Sequence, residues 1–396
     1  AAAALPPRRP FGRGPAVSPF TLGTMRAVGS PEAMEAVLLA ALEVGINHVE
    51  TAPAYGPAEV FLGQALTRLQ QRDPLRAEQL VITSKLLPGV EEAEGREQLR
   101  RCLQRLGLRH LPNLAVHGVN RPDHLAWALR GPGAALLAWA EGEGLVGQVG
   151  FSSHGSDDLI AEALDSGRFG FCSLHLHLLD PQRLPLARSA LAAGMGVLAI
   201  SPADKGGRLY DPPPQLQADC APFAPLELAY RFLLEQGIST LSLGAEQPAD
   251  LVWARRLMAA TGGGSLSSPE AALLTSPTLS APVAAAVEQL RRRQAERLGA
   301  EHCGQCQACL PCPQQVPIPA LLRLRNLCLG HGLEAYASER YNLIGRAGHW
   351  WETIQADACA QCGACLPRCP HQLPIPTLLA DTHRRLAAAP RRRLWG

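Results

Sequence analysis

Between about residues 18 and 260, short apolar runs alternate with amphipathic helical patterns eight times, and this rhythm restricts the fold more than any other feature of the chain. A strand that is followed by a helix before the next strand begins returns to the sheet pointing the same way, so its natural pairing is parallel. The pairs read as residues 21–23 with 32–43, 47–51 with 58–69, 80–85 with 91–106, and 113–118 with 125–141. They continue as 147–152 with 158–164, 171–177 with 184–193, 196–201 with 226–235, and 239–244 with 249–260. Eight units in roughly 250 residues fit a closed (β/α)8 TIM barrel, whose working face lies at the C-terminal ends of its strands. A doubly wound open sheet is the other reading, but no Gly-x-Gly-x-x-Gly follows the first strand.

The last quarter of the chain is of another kind. Cys303, Cys306, Cys309 and Cys312-Pro313 are echoed by Cys359, Cys362, Cys365 and Cys369-Pro370, which uses eight of the twelve cysteines. Three thiolates two residues apart can wrap one face of a 4Fe-4S cubane, and a distant cysteine before proline closes another. Crossed ligation is expected: Cys303, Cys306, Cys309 and Cys369 around one cluster, Cys359, Cys362, Cys365 and Cys312 around the other. Only Leu310 and Pro311 separate Cys309 from Cys312, so the first block departs from the usual form there. Tetrahedral zinc is an alternative, but it leaves the third and fourth cysteine of each block and both prolines without a reason. A disulfide framework suits a short secreted chain rather than one of 396 residues.

These two readings divide the chain. Residues 1–15 read as a loose tail, 16–262 as the barrel, 263–300 as a Gly/Ser-rich linker and a helix, 301–380 as a small α-helical ferredoxin-like module with two clusters, and 381–396 as a basic tail. Within the module, residues 319–328, 333–342 and 376–387 look helical. The formal net charge is +2, with Lys+Arg 37 against Asp+Glu 35, so no global field points to nucleic acid or an anionic membrane. No stretch reaches the roughly 18 uninterrupted apolar residues of a membrane-spanning helix. The first 14 residues hold no apolar signal region, and the expectation is a cytoplasmic, reducing setting. Lys85 and Lys205 are the only lysines among many arginines, which suits positions that need a compact amine of adjustable pKa.

Four residues fall where barrel chemistry belongs. Glu50 closes the second strand, Tyr55 lies in the loop after it, Lys85 ends the third strand and His117 the fourth. Reducing a carbonyl leaves an oxygen that must be protonated, and a phenol can supply that proton if its pKa is lowered. A neighbouring ammonium lowers it, and a carboxylate behind the ammonium keeps that group charged and aimed. Tyr55, Lys85 and Glu50 fit those roles, with His117 orienting the carbonyl oxygen or sharing the proton.

Together with Gly45-Ile46-Asn47-His48-Val49-Glu50-Thr51-Ala52-Pro53-Ala54-Tyr55-Gly56, Ile82-Thr83-Ser84-Lys85 and Val116-His117-Gly118, these residues resemble the aldo-keto reductases. Val149-Gly150-Phe151-Ser152-Ser153-His154, Lys205-Gly206-Gly207-Arg208-Leu209 and Ser242-Leu243-Gly244-Ala245 extend the resemblance over residues 11 to about 260. With the cysteine blocks included, the chain is similar to the branch of that family with a C-terminal ferredoxin-type extension. The resemblance implies NADP or NAD as hydride carrier and a small-molecule carbonyl or alcohol as substrate. It implies that Ser152, Ser153 and Ser173 meet the nicotinamide carboxamide, and that Ser201, Lys205 and Gly206, aided by Gly244 and Gln247, meet the pyrophosphate. Four positions depart from the family pattern: Glu50 stands for the usual aspartate, Ile200 for an aromatic platform, and Gly244 and Asp250 for cations that hold a 2′-phosphate. The expectation is an aldo-keto reductase-like enzyme whose clusters exchange single electrons with the site or with a redox-partner protein. The alternative is a non-catalytic redox sensor or electron carrier with a nucleotide-binding barrel.

Overall fold

The computed structural model describes residues 8–261, 278–347 and 352–390. Strands β1 (Arg9–Phe11) and β2 (Gly14–Val17) pair as an antiparallel hairpin. The next eight strands are β3 (Phe20–Gly23), β4 (His48–Glu50), β5 (Val81–Leu86), β6 (Leu111–Val116), β7 (Val146–Ser153), β8 (Phe171–His175), β9 (Gly196–Ile200) and β10 (Thr240–Gly244). They form a closed barrel in sequence order, every pairing parallel, with β10 returning to β3. The barrel helices are α1 (Pro31–Val44), α2 (Ala58–Arg72), α3 (Pro74–Glu78), α4 (Glu92–Leu106), α5 (Pro122–Arg130), α6 (Pro132–Gly142), α7 (Asp157–Asp165) and α8 (Leu184–Ala192). After them come α9 (Pro214–Asp219), α10 (Pro225–Glu235) and α11 (Val252–Thr261).

Local chemistry sets these limits. At the start of α1, Ser30 accepts the backbone N–H of Ala33 and Pro31 takes the first position, where its missing donor costs nothing. Gly45 ends the helix at φ 96, a left-handed turn that a side chain would resist. The single helix expected over 125–141 is two helices, because Pro132 has no N–H to continue the ladder and breaks it after Gly131.

Residues 9–17 are a correction to the loose tail. Phe11 and Val17 of the hairpin are fully buried with Val81, Ala115, Phe171 and Leu198, at the end of the barrel where its strands begin. Above this plug the interior is polar. Thr240, Thr21, His48, Thr83, Asn113 and Gln148 form a hydrogen-bonded belt across neighbouring strands, with links of 2.7–3.1 Å. Burial, with Lys85 adding a smaller effect, holds the His48 pKa down to about 3, so its ring stays neutral between two threonine hydroxyls. One layer higher on the same strands stand Glu50 and Lys85, since side chains two residues apart share a face.

The chain divides into two compact units. The first takes Ala1–His177, Arg183–Pro202 and Phe232–Thr278; the second takes Leu178–Gln182, Ala203–Arg231 and Leu279–Gly396. Helices α12 (Ala281–Leu298), α13 (Ile318–His331), α14 (Glu334–Tyr341) and α15 (Ile375–Leu386) build the second unit, near the helical stretches read from the sequence. Their shared core includes Val287, Leu290, Leu321, Leu322, Leu378 and Leu379. Arg297 on α12 grips Asp219 on α9 with two bonds, one of them 2.8 Å long, so the barrel-assigned stretch 203–231 is held within this second unit. Residues 262–277 and 391–396, with most of the expected linker and the end of the basic tail, lie outside the described residues. Among the described residues no helix is long and apolar enough to cross a membrane.

Candidate active site and thiol cluster

Three of the four candidate residues converge. Lys85 Nζ donates to Tyr55 Oη at 2.7 Å and stands 3.3 Å from Glu50 Oε1, while Tyr55 Oη lies 3.4 Å from the same carboxylate oxygen. The ammonium also reaches the carbonyl of Thr51 at 3.4 Å. Glu50 and Lys85 are buried, their side chains 5% and 2% exposed, and the Tyr55 ring is half-buried with its hydroxyl enclosed between them. The extra methylene of Glu50 therefore still permits the ion pair. His117, fixed by its N–H to the carbonyl of Leu86 at 2.7 Å, turns its ring edge-on to Tyr55 with centroids 6.0 Å apart.

The electrostatics differ in one respect from the sequence-based expectation. Lys85 and its hydrogen bond do lower the Tyr55 pKa, but burial and Glu50 outweigh them and the phenol lies above its ordinary value. Burial pulls Lys85 down, yet Glu50 and Tyr55 outweigh it and the ammonium is raised. The resting arrangement is thus a charged lysine beside a protonated phenol. Glu50 Oε2, Thr51 Oγ1 and Ser173 Oγ are buried without a hydrogen-bond partner among the described residues.

The expected cofactor contacts separate. Ser152 accepts the N–H of Gly118 at 3.0 Å and keeps its own hydroxyl proton to give. It sits opposite Ser173 in the β7–β8 register, so the two hydroxyls share one layer. Ser153 donates to Val119 O at 2.6 Å and accepts from Gly155 at 3.0 Å, so its hydroxyl serves the loop. Ser201 takes a left-handed backbone at φ 52 in the first unit, whereas Lys205 and Gly206 belong to the second, where the Lys205 carbonyl accepts the Tyr336 hydroxyl. Gln247 caps the single helical turn Pro248–Leu251, and Asp250 Oδ2 accepts the N–H groups of Glu246 and Gln247 at 2.8 and 3.2 Å. Arg26, which the sequence reading passed over, brings its guanidinium Nε to 3.3 Å from where a Cβ would stand on Gly244. Its place just after the first barrel strand was the available signal.

In the second unit, Cys303, Cys306, Cys309 and Cys369 line one cavity, walled by Leu322, Leu373, Ile375 and His371. The thiols that perturb Cys303 and Cys365 fall in the same sets, although Cys309 also feels Cys365 across them. Burial chiefly raises Cys303, with Cys306 and Cys369 adding to it; burial chiefly raises Cys365, with Cys359, Cys312 and Cys362 adding to it. The two blocks repeat in backbone as well as sequence. Left-handed φ angles recur at Gln305 and Gln361 (60 and 55), Gln307 and Gly363 (62 and 74), and Gln315 and Gln372 (56 and 53). The short Cys309-to-Cys312 gap leaves the downstream pattern intact. Among the described residues no three or more His, Cys, Asp or Glu side chains are arranged to hold a single metal ion.

Residues 19–217, half of the chain, match the model of the aldo/keto reductase family. A candidate aldo-keto reductase from Pseudomonas aeruginosa is 25% identical, with a TM-score of 0.52 over 66% of this chain and 97% of that one. A Bombyx mori aldo-keto reductase in complex with NADP, 20% identical, gives a TM-score of 0.53 over 72% of this chain and 94% of its own. The holo form of a Bacillus halodurans aldo-keto reductase, 18% identical, gives 0.54 over 70% and 98%. At these last two identities the likeness is one of fold. No curated protein matches the chain. Because the matched half carries the strand ends of Glu50, Lys85 and His117 and the loop of Tyr55, the protein belongs to the aldo/keto reductase family.

Proposed function

We propose that the protein is a nicotinamide-dependent oxidoreductase that interconverts an aldehyde or ketone with its alcohol, and that residues 301–380 form a ferredoxin-type module holding two 4Fe-4S clusters. The observation that carries the enzymatic reading is the buried Lys85, bonded to Tyr55 at 2.7 Å and paired with Glu50 at 3.3 Å. A nicotinamide dinucleotide, NADP or NAD, would supply the hydride. Tyr55 holds the proton that the carbonyl oxygen needs, and its raised pKa keeps that proton on Oη at neutral pH. Lys85 polarises the phenol and stabilises the phenolate left when the proton moves to substrate. His117, whose ring stands edge-on to Tyr55, orients the carbonyl oxygen.

The residues present fit a nicotinamide. The unpaired buried hydroxyl of Ser173, with Ser152 opposite, suits a carboxamide. At the other end, Arg26 beside Gly244 offers a cation, while Asp250 already occupies two backbone N–H groups and opposes a 2′-phosphate. Cubane clusters fit the thiols better than a lone ion, because each thiolate of a cubane binds a different iron and the four need not converge on one point. The cavity lined by Cys303, Cys306, Cys309 and Cys369 supports the crossed set. Clusters of this type exchange single electrons, which suits a redox-partner protein.

Anaerobically purified protein assayed together for iron, sulfide and bound nicotinamide tests both halves. Tyr55→Phe is expected to cut carbonyl reduction by about a hundred- to ten-thousand-fold with the iron content unchanged. Unchanged turnover in that variant would overturn the catalytic reading, and turnover without iron or sulfide would overturn only the module.

A further inference from the structure

Gln305 treats one thiol differently from its counterpart in the repeat. Its side-chain Nε2 donates to Cys303 Sγ at 3.3 Å, its backbone N–H serves the same sulfur, and its Oε1 accepts from Gln182 Nε2 at 3.2 Å. A thiolate can only accept, which turns the Gln305 amide with nitrogen inward and oxygen outward; the outward oxygen then needs a donor, and Gln182 supplies one. Bonds in such a chain polarise one another. The backbone of Gln305 is left-handed at φ 60, so the position keeps a strained conformation for a non-glycine residue. Gln361 stands at the equivalent place with φ 55, but its side chain is exposed and makes no such bond among the described residues.

We propose that the relay Gln182–Gln305–Cys303 raises the reduction potential of the cluster held by Cys303, Cys306, Cys309 and Cys369 above that of the other, and so sets the direction of electron flow between them. Hydrogen bonds to cluster sulfurs stabilise the reduced, more negative state, and among the described residues only the first block has a side-chain donor to a cysteine sulfur. Gln182 lies on Leu178–Gln182, which groups with the cysteine blocks in the second unit. Gln305 and Gln182 are positioning residues here, and the inference rests on the cluster reading above.

The experiment is a mediated dithionite titration of the anaerobic holoprotein, with both reductions followed by EPR. Gln305→Gly keeps the left-handed backbone and its N–H while removing the amide. It is expected to shift the more positive of two potentials downward and leave the other in place. Gln182→Leu, outside the cysteine blocks, is expected to shift the same potential in the same direction by less, with full iron content. Gln361→Gly is expected to move neither. If Gln305→Gly and Gln182→Leu both retain iron and leave both potentials unchanged, the relay has no role in tuning. If Gln305→Gly loses iron, Gln182→Leu decides. Wild-type protein without iron and sulfide overturns the cluster reading itself, an outcome separate from the potentials.

Discussion

Lys85 has exchanged water for a carboxylate, a phenol and a carbonyl, with 2% of its side chain exposed. Removing the ammonium strands Glu50 as a buried charge, a loss that typically costs about 3–5 kcal/mol. Lys85→Met should therefore lose stability of that order in urea unfolding, and Glu50→Gln added to it should recover a large part. A single-variant loss below about 1 kcal/mol would show that water already screens the pair. His48 gives a second expectation, for acid. Its folded pKa lies at about 3, below the ordinary value of 6.5, so under pH 6.5 the unfolded chain binds a proton that the folded one refuses. Stability should then fall by about 1.4 kcal/mol per pH unit from this group between those values. Unfolding at a series of pH values, with His48→Gln as reference, would read that slope, and equal slopes in both proteins would remove the assignment. That Glu50, Tyr55 and Lys85 would come together was legible in the sequence, because strand-end and adjoining loop positions imply location on this fold. The net upward shift of Tyr55 was not, because it depends on burial that no spacing reports.

At the scale of elements, the strands and helices followed the hydrophobic period closely, and the deviations have local causes. Pro132 splits one helix in two. The hairpin of residues 9–17 went unread because its strands are only three and four residues long, and what orders them is burial in the barrel end rather than a pattern of their own. Helices α2 and α4 show how close the layers come. Glu59 accepts Arg105 Nε at 2.7 Å and Ser84 Oγ at 2.6 Å, next in sequence to Lys85. At Gly63 an added Cβ would stand 1.9 Å from the Arg105 carbonyl oxygen. Gly63→Ala must push the two helices apart, and a loss of about 3 kcal/mol or more is expected by thermal unfolding. A loss under about 1 kcal/mol would mean that α4 yields easily.

For the whole molecule, two compact units predict two unfolding events. Each has its own buried apolar core, and the second also carries the cysteine blocks. Iron removal is expected to weaken the second transition while the first keeps its midpoint, as calorimetry before and after chelation would show. Cys369→Ser, which takes one thiol from the cavity of the first block, is expected to lower iron by about half, and loss of the same EPR signal as in Cys303→Ser would show that ligation crosses between the repeats. Full iron in that variant would assign Cys369 elsewhere.

By itself the sequence determined the parallel barrel, the strand-end residues and the repeated thiol phrase, since each depends on periodicity or on covalent spacing that a chain carries wherever it folds. Only the tertiary structure decided that Ser153 spends its hydroxyl on its own loop, that Asp250 holds backbone N–H groups, and that residues 178–182 and 203–231 group with the cysteine blocks. It also decided which thiols share a cavity and that Gln305, rather than Gln361, reaches a sulfur. These outcomes depend on groups far apart in the chain competing for the same few ångströms, and no local pattern encodes the winner.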